Sequence, residues 1–371
     1  APEVRKMRTA LYNPYTDQSC FDREMSKVFS TMWVYGCTWP EIEAEDSFVL
    51  MDAPFGEVII TTKSGQPSAF FNKCLHRGHR LTDVSRGQSN SFICPYHGWR
   101  YDGSGKLENI PGAMKFYGKG AADFKTKNSI QSINTARLGD LVFLNASDSP
   151  HPVEEQFDSA VISGLELTRG KMGTHMLEMS VELPFNWKLI FENLRDGLHP
   201  TFLHKTSLTK EVHFSFTDIF KEEDVRANVE LVDLSSFSRD GETNTPDAPH
   251  KSQFELIDDK NHYLNWLLFP YTHIASPDGG ALIGIENYVP VAPNVTRFEL
   301  RLHITKSIGR ASPIPILRRW LGKAQIVFKE DFDAVISVQK NATSSRMTQN
   351  LGAYETFNSS VHNWFEANIY D

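Results

Sequence analysis

The spacing of hydrophobic positions changes along this chain, and each change marks a segment with a different predicted structure. Within residues 1–39, apolar side chains recur every three or four positions, which predicts that part of this segment is helical. Between about 45 and 150, short apolar runs alternate with glycine, proline, serine and aspartate, a pattern typical of an antiparallel β-domain. The predicted strands there are Ser47–Met51, Glu57–Thr62, Ser68–Asn72, Ser91–Ile93 and Asp140–Asn145.

From about residue 150 onward, helical and strand patterns are mixed. Residues Asn186–His204, Pro313–Val338 and the stretch after Tyr354 have helical patterns. Residues 221–227 and 239–261 are polar and charged, so we expect solvated loops there, with a cover over a substrate entrance as the alternative. The predicted strands are Glu211–Phe220, Asn228–Leu234, His262–Phe269, Gly280–Val289 and Arg297–Thr305.

Length and composition are those of a globular protein with two domains. A chain of 371 residues, 40% of them hydrophobic, is too long for one ordinary core. The formal net charge of −8 argues against partners such as nucleic acid or anionic membranes. No run reaches the roughly 18 apolar residues of a membrane span, and Ala1–Leu11 lacks the apolar run of a secretory signal.

The four cysteines do not form the pattern of a disulfide-rich protein, which fits a reducing cytoplasm. We expect Cys20 and Cys37 to be buried free thiols. The other two cysteines lie in short motifs with histidine, and these motifs carry the strongest chemical signal in the chain.

These motifs are Cys74-x-His76 and Cys94-x2-His97, separated by 17 residues. Each follows a predicted strand, so we expect both to lie on loops that project from a small sheet. Two thiolates and two imidazoles can hold a [2Fe–2S] cluster in which histidines replace cysteines on one iron. A zinc site is a weaker alternative because its motifs usually pair like residues, and ordinary core packing would not explain the matched motifs.

A second group of metal-binding residue types follows about 100 residues later and comprises Glu192, Asp196, His199 and His204. On one unbroken helix, His204 would lie about 140° from His199, so the two imidazoles could not face one metal. Pro200 cannot donate the hydrogen bond to residue 196, so we expect a kink or a new helix start after His199. Two imidazoles and one carboxylate form the facial triad of Fe(II) oxygenases. The alternative is an ordinary amphipathic helix with hydrogen-bonded surface groups.

Together the two patterns resemble those of the Rieske non-haem iron oxygenases, and the resemblance spans nearly the whole chain. The matching motifs are C-x-H-R-G…C-x-Y-H-G-W, with its 17-residue gap, and N-W-K-x3-E-N-x2-D-x2-H-x4-H. The resemblance implies that Cys74 and Cys94 bind one iron of a Rieske [2Fe–2S] cluster. It likewise implies that His76 and His97 bind the other iron.

The resemblance also implies a mononuclear Fe(II) site. His199 and His204 match the iron ligands of the family, and Asn193 and Asp196 match residues of its catalytic segment. In the family the aspartate at the Asp196 position is not a ligand. It links the first iron-binding histidine by hydrogen bonds to a Rieske histidine of the next subunit, and the residue here that matches this partner is His97.

A third iron ligand is implied on a later helix, where family members carry E-D or D-D ahead of a glutamine. The segment Glu330-Asp331-Phe332-Asp333, followed by Gln339, matches this pattern. The match favours Asp331, with Asp333 second and Glu330 third. The alternative is that these acids only solvate a helix face.

The fold implied by the resemblance is α+β. It combines an all-β Rieske domain over residues 40–150 with a catalytic mononuclear-iron domain formed by residues 1–39 and 151–371. The catalytic domain is expected to have a curved antiparallel sheet with helices, of the helix-grip type. The implied assembly is a head-to-tail homotrimer, or an α3β3 complex with a small β subunit.

The implied activity is that of a terminal oxygenase component that uses O₂ and electrons from NAD(P)H. The chain has no flavin or nicotinamide motif, so the electrons would arrive through a separate reductase, with or without a ferredoxin. The layout resembles benzoate, salicylate and terephthalate oxygenases, which implies one or two hydroxylations of an aromatic acid. The alternatives are an O- or N-demethylase or a quaternary-amine monooxygenase, which would need an aromatic cage. A Rieske ferredoxin would need only about 100 residues.

Overall fold

The computed structural model describes residues 5–6, 13–208, 229–242, 250–258, 262–344, 349–352 and 355–370. The chain divides into two compact units, one of residues 30–151 and one that joins residues 1–29 to residues 152–371. The predicted strand Glu211–Phe220 and the predicted loop 221–227 lie outside the described residues. Within the described part, no helix combines the length and hydrophobicity needed to span a bilayer.

The first described elements are strand β1 (Arg5–Lys6) and helix α1 (Gln18–Glu24), which continues as a π-helical turn over Met25–Phe29. The helical pattern predicted within residues 1–39 therefore corresponds to residues 18–29. Residues 30–39 belong to the other unit, although the sequence assigned them to the discontinuous domain. The reason is that strand β2 (Val34–Thr38) hydrogen-bonds to a strand of that unit.

The unit of residues 30–151 is an antiparallel β-structure, as the alternating pattern predicts. A seven-stranded sheet has the order β2-β11-β10-β5-β4-β3-β6, and a small sheet has the order β7-β8-β9. After β2 the elements are α2 (Trp39–Ile42), β3 (Ser47–Ala53), β4 (Gly56–Lys63), β5 (Gln66–Phe71), β6 (Arg86–Gln88), β7 (Ser91–Ile93), β8 (Arg100–Asp102), β9 (Leu107–Asn109), α3 (Ala113–Tyr117), α4 (Ala121–Lys127), β10 (Ser132–Leu138) and β11 (Leu141–Asn145).

Aromatic side chains form the core between these two sheets. Phe92 packs edge-on against Phe48 and Phe70, with ring centroids 5.3 and 5.7 Å apart. The thiols of Cys74 and Cys94 belong to the same buried cluster. A shell of packed apolar side chains therefore fixes the bases of both cysteine loops.

The unit that joins residues 1–29 and 152–371 is built on a six-stranded antiparallel sheet of order β12-β17-β16-β15-β14-β13. The α+β class predicted from the sequence is confirmed. After α1, the helices and strands of this unit are α5 (Ser159–Glu166), β12 (Met172–Leu183), α6 (Trp187–Arg195), α7 (His199–Leu203), β13 (Ser236–Glu242), β14 (His262–Leu268), β15 (Thr272–Ser276), β16 (Leu282–Ala292), β17 (Val295–Thr305), α8 (Pro313–Ser344), β18 (Asn350–Leu351) and α9 (Thr356–Phe365).

One predicted strand is wrong where the chain is described. Leu231–Leu234 forms a 3₁₀ turn, and the strand begins two residues later, as β13. Strand β13 pairs with β14 along its length, so the ladder also takes in residues 239–242, which the sequence predicts to be a loop. Tertiary pairing thus overrides the local polar pattern in this stretch.

Helix α8 packs on the sheet through aromatic side chains. Phe328 and Phe332 both meet Phe298 of β17 edge-on, with ring centroids 5.1 and 5.0 Å apart. At Gly284 of β16 a Cβ atom would lie 3.1 Å from the Trp320 ring of α8, so a glycine lets helix and sheet approach closely.

Helix α6 begins at Asn186, whose side chain accepts a hydrogen bond from the Lys188 N–H. The sequence predicts a helix that continues to His204 with a break after His199, and this is wrong in position. The chain leaves the helix at Asp196, which is extended (φ −85°, ψ 101°), and α7 begins at His199. Pro200 stands in the first turn of α7, where a missing N–H costs nothing, so it starts the new helix rather than kinking the old one.

A buried ion pair holds the start of α6. Lys188 and Glu24 are in contact at 2.5 Å, and their side chains are 7% and 0% exposed. We predict that Lys188→Met lowers the free energy of unfolding by about 3–5 kcal/mol, because the Glu24 carboxylate stays buried without its cation. Urea unfolding followed by circular dichroism measures the loss.

The matched control is Lys329→Met, which removes an exposed ion pair with Asp333 on α8. That variant should lose about 0–1 kcal/mol. Equal and small losses in both variants would contradict a stabilising role for the buried pair.

Candidate metal centres

The two cysteine loops of the β-unit have the same backbone geometry. In each loop the N–H of a glycine donates to the carbonyl of the cysteine four residues earlier, at 2.9 Å. Gly78 and Gly98 occupy the left-handed region, with φ of 73° and 71°, which only glycine adopts without strain. The matched motifs of the sequence therefore fold into two matched loops.

The four predicted side chains lie together at the tips of these loops. Cys74 and Cys94 are 2% and 1% exposed, and the rings of His76 and His97 are 4.3 Å apart. Nδ1 of His76 is buried and has no hydrogen-bond partner among the described residues. A buried ring nitrogen without a partner, facing a second imidazole beside two thiols, suits the donor set of a Rieske [2Fe–2S] cluster.

Two aromatic residues support these donors. The Tyr101 hydroxyl lies 3.2 Å from Sγ of Cys74 and accepts the Leu75 N–H at 3.0 Å. Trp99 stacks on the His76 ring, with an interplanar angle of 6°.

Burial raises the pKa of the Cys74 thiol, and the Tyr101 hydrogen bond opposes this rise. Burial also lowers the pKa of His97, and the nearby His76 and Arg77 lower it further. A lowered pKa favours the neutral imidazole, which is the form that binds metal.

A second candidate centre lies in the other unit, where His199, His204 and Asp331 bring their ligand atoms within 4.8 Å of one another. Nε2 of His199 is 3.5 Å from Oδ1 of Asp331, and Nε2 of His204 is 3.2 Å from the same oxygen. His199 is the first residue of α7 and His204 is its C-cap, so the two histidines lie at opposite ends of one short helix that begins after α6 has ended. Two imidazoles and a carboxylate in one buried group are the donor set of a facial triad for Fe(II).

The other ring nitrogen of each histidine, Nδ1, also makes a hydrogen bond. Nδ1 of His199 hydrogen-bonds to the backbone carbonyl of Asp196 at 2.6 Å. Nδ1 of His204 hydrogen-bonds to Oε2 of Glu330 at 2.7 Å, and the Ser207 hydroxyl donates to the same oxygen. Acceptors at Nδ1 select the tautomer that presents the Nε2 lone pair, the arrangement common for metal-binding histidines.

Of the three acids considered on α8, only Asp331 faces this centre. Glu330 contacts Nδ1 of His204, whereas Asp331 faces Nε2 of the same ring. Asp333 is exposed and pairs with Lys329. Asn193 of α6 donates a hydrogen bond to Oδ1 of Asp331 at 2.9 Å, so α6 positions the carboxylate.

Glu192 lies elsewhere, although the sequence placed it with His199 and His204. Its carboxylate is buried and accepts hydrogen bonds from Tyr15 at 2.8 Å and from Gln349 at 3.1 Å, and it contacts His362 at 3.0 Å. Burial opposes its charge, yet the electrostatic interaction with His362 and these hydrogen bonds lower the Glu192 pKa. The helix-face argument failed because α6 ends before residues 196 and 199 and these no longer share its periodicity.

The side chain of Asp196 does not bind His199 within this chain. Its Oδ1 accepts the Leu198 N–H at 2.9 Å, and His199 is held by the backbone carbonyl of Asp196 instead. The carboxylate closes the turn between the two helices. The link from Asp196 to another subunit stays a prediction.

The two histidines differ in their electrostatics. Burial lowers the pKa of His199, against the opposing charge of Asp331. For His204, burial also acts against the charged form, but hydrogen bonds and charges of Asp331 and Glu330 outweigh it and raise the pKa. A metal ion would therefore displace a proton more readily from His199 than from His204.

Sequence reasoning missed the orienting role of Glu330 and the Tyr101 contact with Cys74. Glu330 was considered only as a ligand, and its place directly before Asp331 gave no hint that it faces His204. Tyr101 lies seven residues after Cys94 on β8, and no motif singles it out. Both contacts depend on tertiary packing rather than on local spacing.

Two family models match the chain. The model described as Rieske [2Fe-2S] domain matches residues 33–127, and the model described as ring hydroxylating alpha subunit (catalytic domain) matches residues 172–370. The first range falls within the unit of the cysteine loops, and the second contains His199, His204 and Asp331.

Curated relatives include both dioxygenases and monooxygenases. Terephthalate 1,2-dioxygenase, terminal oxygenase component subunit alpha 2, of Comamonas sp is 28% identical over 204 residues, which cover 54% of this chain and 49% of that protein. The glycine betaine monooxygenase oxygenase subunit of Pseudomonas aeruginosa is 29% identical over 196 residues, which cover 51% of this chain and 44% of that protein. The chain thus spans about half the length of these curated relatives.

Solved structures share the fold. A quaternary ammonium Rieske monooxygenase studied for carnitine oxidation superimposes with a TM-score of 0.75 at 19% identity, covering 99% of this chain and 100% of that chain. The catalytic-domain model alone matches more than half of the 371 residues. The chain therefore belongs to the ring-hydroxylating alpha subunits with a Rieske domain, a family whose two cofactors are a Rieske [2Fe–2S] cluster and a mononuclear iron.

Proposed function

We propose that this chain is the terminal oxygenase component of a system that hydroxylates an aromatic acid with O₂. The observation that carries the proposal is the buried group of His199, His204 and Asp331 in a chain that also holds a matched pair of cysteine–histidine loops. An electron-accepting centre and an oxygen-binding centre in one polypeptide are what such a component requires. Electrons from NAD(P)H would arrive through a separate reductase, with or without a ferredoxin.

Each donor then has a stated role. Cys74 and Cys94 would hold one iron of the cluster, and His76 and His97 the other. His199, His204 and Asp331 would hold the mononuclear iron. When bound, the cluster supplies single electrons and the mononuclear iron activates O₂ beside the substrate.

The protein groups around the mononuclear centre orient its ligands. The Asp196 carbonyl and the Glu330 carboxylate hold the Nδ1 protons of the two histidines, which keeps both Nε2 lone pairs directed at one point. Asn193 fixes the Asp331 carboxylate by donating to Oδ1. Burial of His204 and Asp331 limits the access of water to the ligand atoms.

Two kinds of substrate have support. The terephthalate dioxygenase relative supports an aromatic acid, with one or two hydroxyl groups added. The glycine betaine monooxygenase relative supports a second candidate, the oxidation of a quaternary amine or an O- or N-demethylation. We favour the aromatic acid because the motifs around both centres resemble the benzoate, salicylate and terephthalate oxygenases.

The proposed assembly is a head-to-tail homotrimer, or an α3β3 complex with a small β subunit, in the cytoplasm. In it, the carboxylate of Asp196 would meet His97 of the partner subunit. Asp196 is suited to this role because its backbone carbonyl holds His199 and its Oδ1 accepts the Leu198 N–H, so the carboxylate is fixed in the turn directly before the first imidazole.

A single-turnover experiment tests the proposed reaction without a partner protein. Reduced, iron-loaded protein is mixed with O₂ and either benzoate, salicylate and terephthalate or glycine betaine and carnitine. We expect hydroxylated product from at least one aromatic acid, at about one product per reduced active site, because both electrons are already stored. Formaldehyde from the amines with no aromatic product would favour the second candidate, and no product from either group would contradict an oxygenase.

A second prediction concerns the third ligand. Asp331→Asn should lower the iron content from about three to about two atoms per chain, while acid-labile sulfide and the cluster spectrum are unchanged. Iron and sulfide analysis of the anaerobically purified protein measures both. Asp333→Asn is the matched control and should keep about three irons, because that carboxylate pairs with Lys329. Iron loss in the control instead would mean that Asp333 is the ligand.

A third prediction concerns the turn between α6 and α7. Asp196→Asn should keep both metals, because the backbone carbonyl that holds His199 remains, and should reduce steady-state turnover roughly 100-fold or more. Iron analysis and product formation separate the two effects. Normal turnover would show that the carboxylate carries no link between subunits, and loss of iron would show that it supports His199 directly.

A further inference from the structure

Large apolar side chains are exposed on α3 and α4, the two short helices that follow the second cysteine loop. Met114 and Phe116 of α3 are 66% and 69% exposed, and Tyr117 and Phe124 are 45% and 41% exposed. The two helices pack against each other, so these four side chains belong to one face of the β-unit, called here the α3–α4 surface. Exposed apolar patches of this kind mark places where another molecule binds.

The backbone before α3 places one of these rings at the surface. Gly112 has a φ of 64°, and a Cβ atom at this position would lie 2.6 Å from the Phe116 ring. The ring therefore rests on the glycine backbone, and Nζ of Lys115 lies 5.5 Å from its centroid. The exposed aromatic ring and the ammonium group thus stand side by side.

One tryptophan connects the α3–α4 surface to the cysteine–histidine loops. Tyr117 and Phe124 each meet the Trp99 ring edge-on, with centroids 6.0 Å apart in both pairs. Trp99 is buried, and its ring stacks on His76 with centroids 5.1 Å apart. Because electron transfer between proteins slows with distance, a protein bound here would be well placed to deliver an electron, with one side chain between the surface and His76.

The charges around this surface are mostly positive. Residues 113–127 contain four lysines and one aspartate, in a chain whose formal net charge is −8. Asp123 pairs with Lys127 at 2.9 Å, whereas Lys115, Lys119 and Lys125 form no ion pair among the described residues. A basic rim on an otherwise acidic protein attracts an acidic partner to this face and repels it elsewhere.

We propose that the α3–α4 surface is the docking site of a small acidic electron carrier of the ferredoxin type, and that electrons enter through Trp99 and His76. The inference rests on the proposed function, because it concerns the electrons that such an oxygenase consumes. In the step, one electron leaves the reduced carrier, which is oxidised, and enters the oxidised cluster, which is reduced. No covalent bond forms or breaks.

The two cluster histidines then have different tasks. In the proposed assembly His97 meets Asp196 of the partner subunit, so electrons leave on that side. His76 stacks on Trp99, below the α3–α4 surface, so electrons arrive on the other side. A carrier bound to this surface does not compete with the partner subunit for His97.

Binding is tested by isothermal titration calorimetry with the full, metal-loaded protein and oxidised plant-type [2Fe–2S] ferredoxin, an acidic protein, as the probe. Affinity should fall as salt is added, because the attraction is between opposite surface charges. Lys115→Glu/Lys119→Glu should weaken binding at least roughly tenfold at low ionic strength. The matched control is Lys323→Glu/Lys340→Glu, which makes the same charge change at exposed positions of α8 and should bind as wild type. Absence of binding, or equal weakening in both variants, would overturn the proposal.

A second pair of variants tests the apolar part of the contact. Met114→Ser/Phe116→Ser should weaken binding at least roughly tenfold while keeping the salt dependence, because apolar area is lost and the lysines remain. Ile326→Ser/Val338→Ser removes exposed apolar side chains of α8 instead and should bind as wild type. Unchanged affinity in Met114→Ser/Phe116→Ser would mean that the carrier does not touch this surface.

Electron entry has its own readout, the loss of the visible absorbance of the oxidised cluster in a stopped-flow instrument. Plant-type ferredoxins have lower reduction potentials than Rieske clusters, so reduced ferredoxin should reduce the wild-type cluster. Both α3–α4 variants should slow this reaction, whereas dithionite, a small reductant that needs no docking surface, should reduce the cluster fully in every variant. A cluster that dithionite does not reduce would contradict the proposed function. Full reduction by dithionite with equal ferredoxin rates in all variants would overturn the docking site alone.

Sedimentation velocity separates a carrier from another occupant, a second copy of this chain. Both α3–α4 variants should sediment as the wild type does, because the surface is free for the carrier in the assembly. Smaller assemblies in these variants would make the surface a contact between copies and overturn the proposal.

Discussion

The candidate mononuclear site depends on one short helix, α7, which begins at His199 and ends just before His204. His199 and His204 are five residues apart, and no continuous α-helix can direct both imidazoles at one carboxylate oxygen. In this chain the two histidines stand at opposite ends of α7, a helix of five residues that is separate from α6: His199 is its first residue and His204 is its C-cap, with non-helical backbone angles (φ −98°, ψ 29°). The Asp196 side chain closes the turn by accepting the Leu198 N–H, and Pro200 fits the first turn of the new helix.

Buried charges around α6 fix the helix that carries this turn. Glu24 meets Lys188 near its start, and Glu192 meets His362 near its middle. Each pair joins α6 to a segment distant in sequence, residue 24 from the N-terminal helix and residue 362 from α9. Buried pairs of this kind add little net stability over apolar packing, but breaking one is costly, so they specify position more than they add free energy. The position that they specify is that of Asn193, which holds Asp331.

Much of the chemistry could be predicted because it is encoded in short spacing. The cysteine–histidine loops each span five residues from the cysteine to the glycine, and the glycine after each histidine allows the same backbone turn. Five strands of the same unit, β3, β4, β5, β7 and β11, followed from the short apolar runs between turn residues, whereas the other strands of that unit were not predicted. The resemblance singled out His199, His204 and Asp331 through local motifs, and the structure places these three side chains in one group.

What could not be predicted depends on long-range packing. Glu192 has the right residue type and the right spacing for the iron group, but the rotation of α6 turns it to Tyr15 and His362. Glu330 has a ligand's position in sequence, but the register of α8 directs it to the far nitrogen of His204. Strand β13 lies in a polar stretch and forms because β14 offers a partner, which a local pattern does not show.

The two histidines of the triad are oriented by different kinds of acceptor, a backbone carbonyl for His199 and a side chain for His204. A backbone carbonyl is present whatever residue occupies position 196. The acceptor of His204 is a side chain, so it is lost when Glu330 is replaced by a residue without a side-chain acceptor. Evolutionary drift at these two places therefore has unequal consequences. A substitution at position 196 leaves the acceptor of the His199 imidazole in place, although it changes the side chain that closes the turn, whereas a substitution at position 330 changes the acceptor of the His204 imidazole itself.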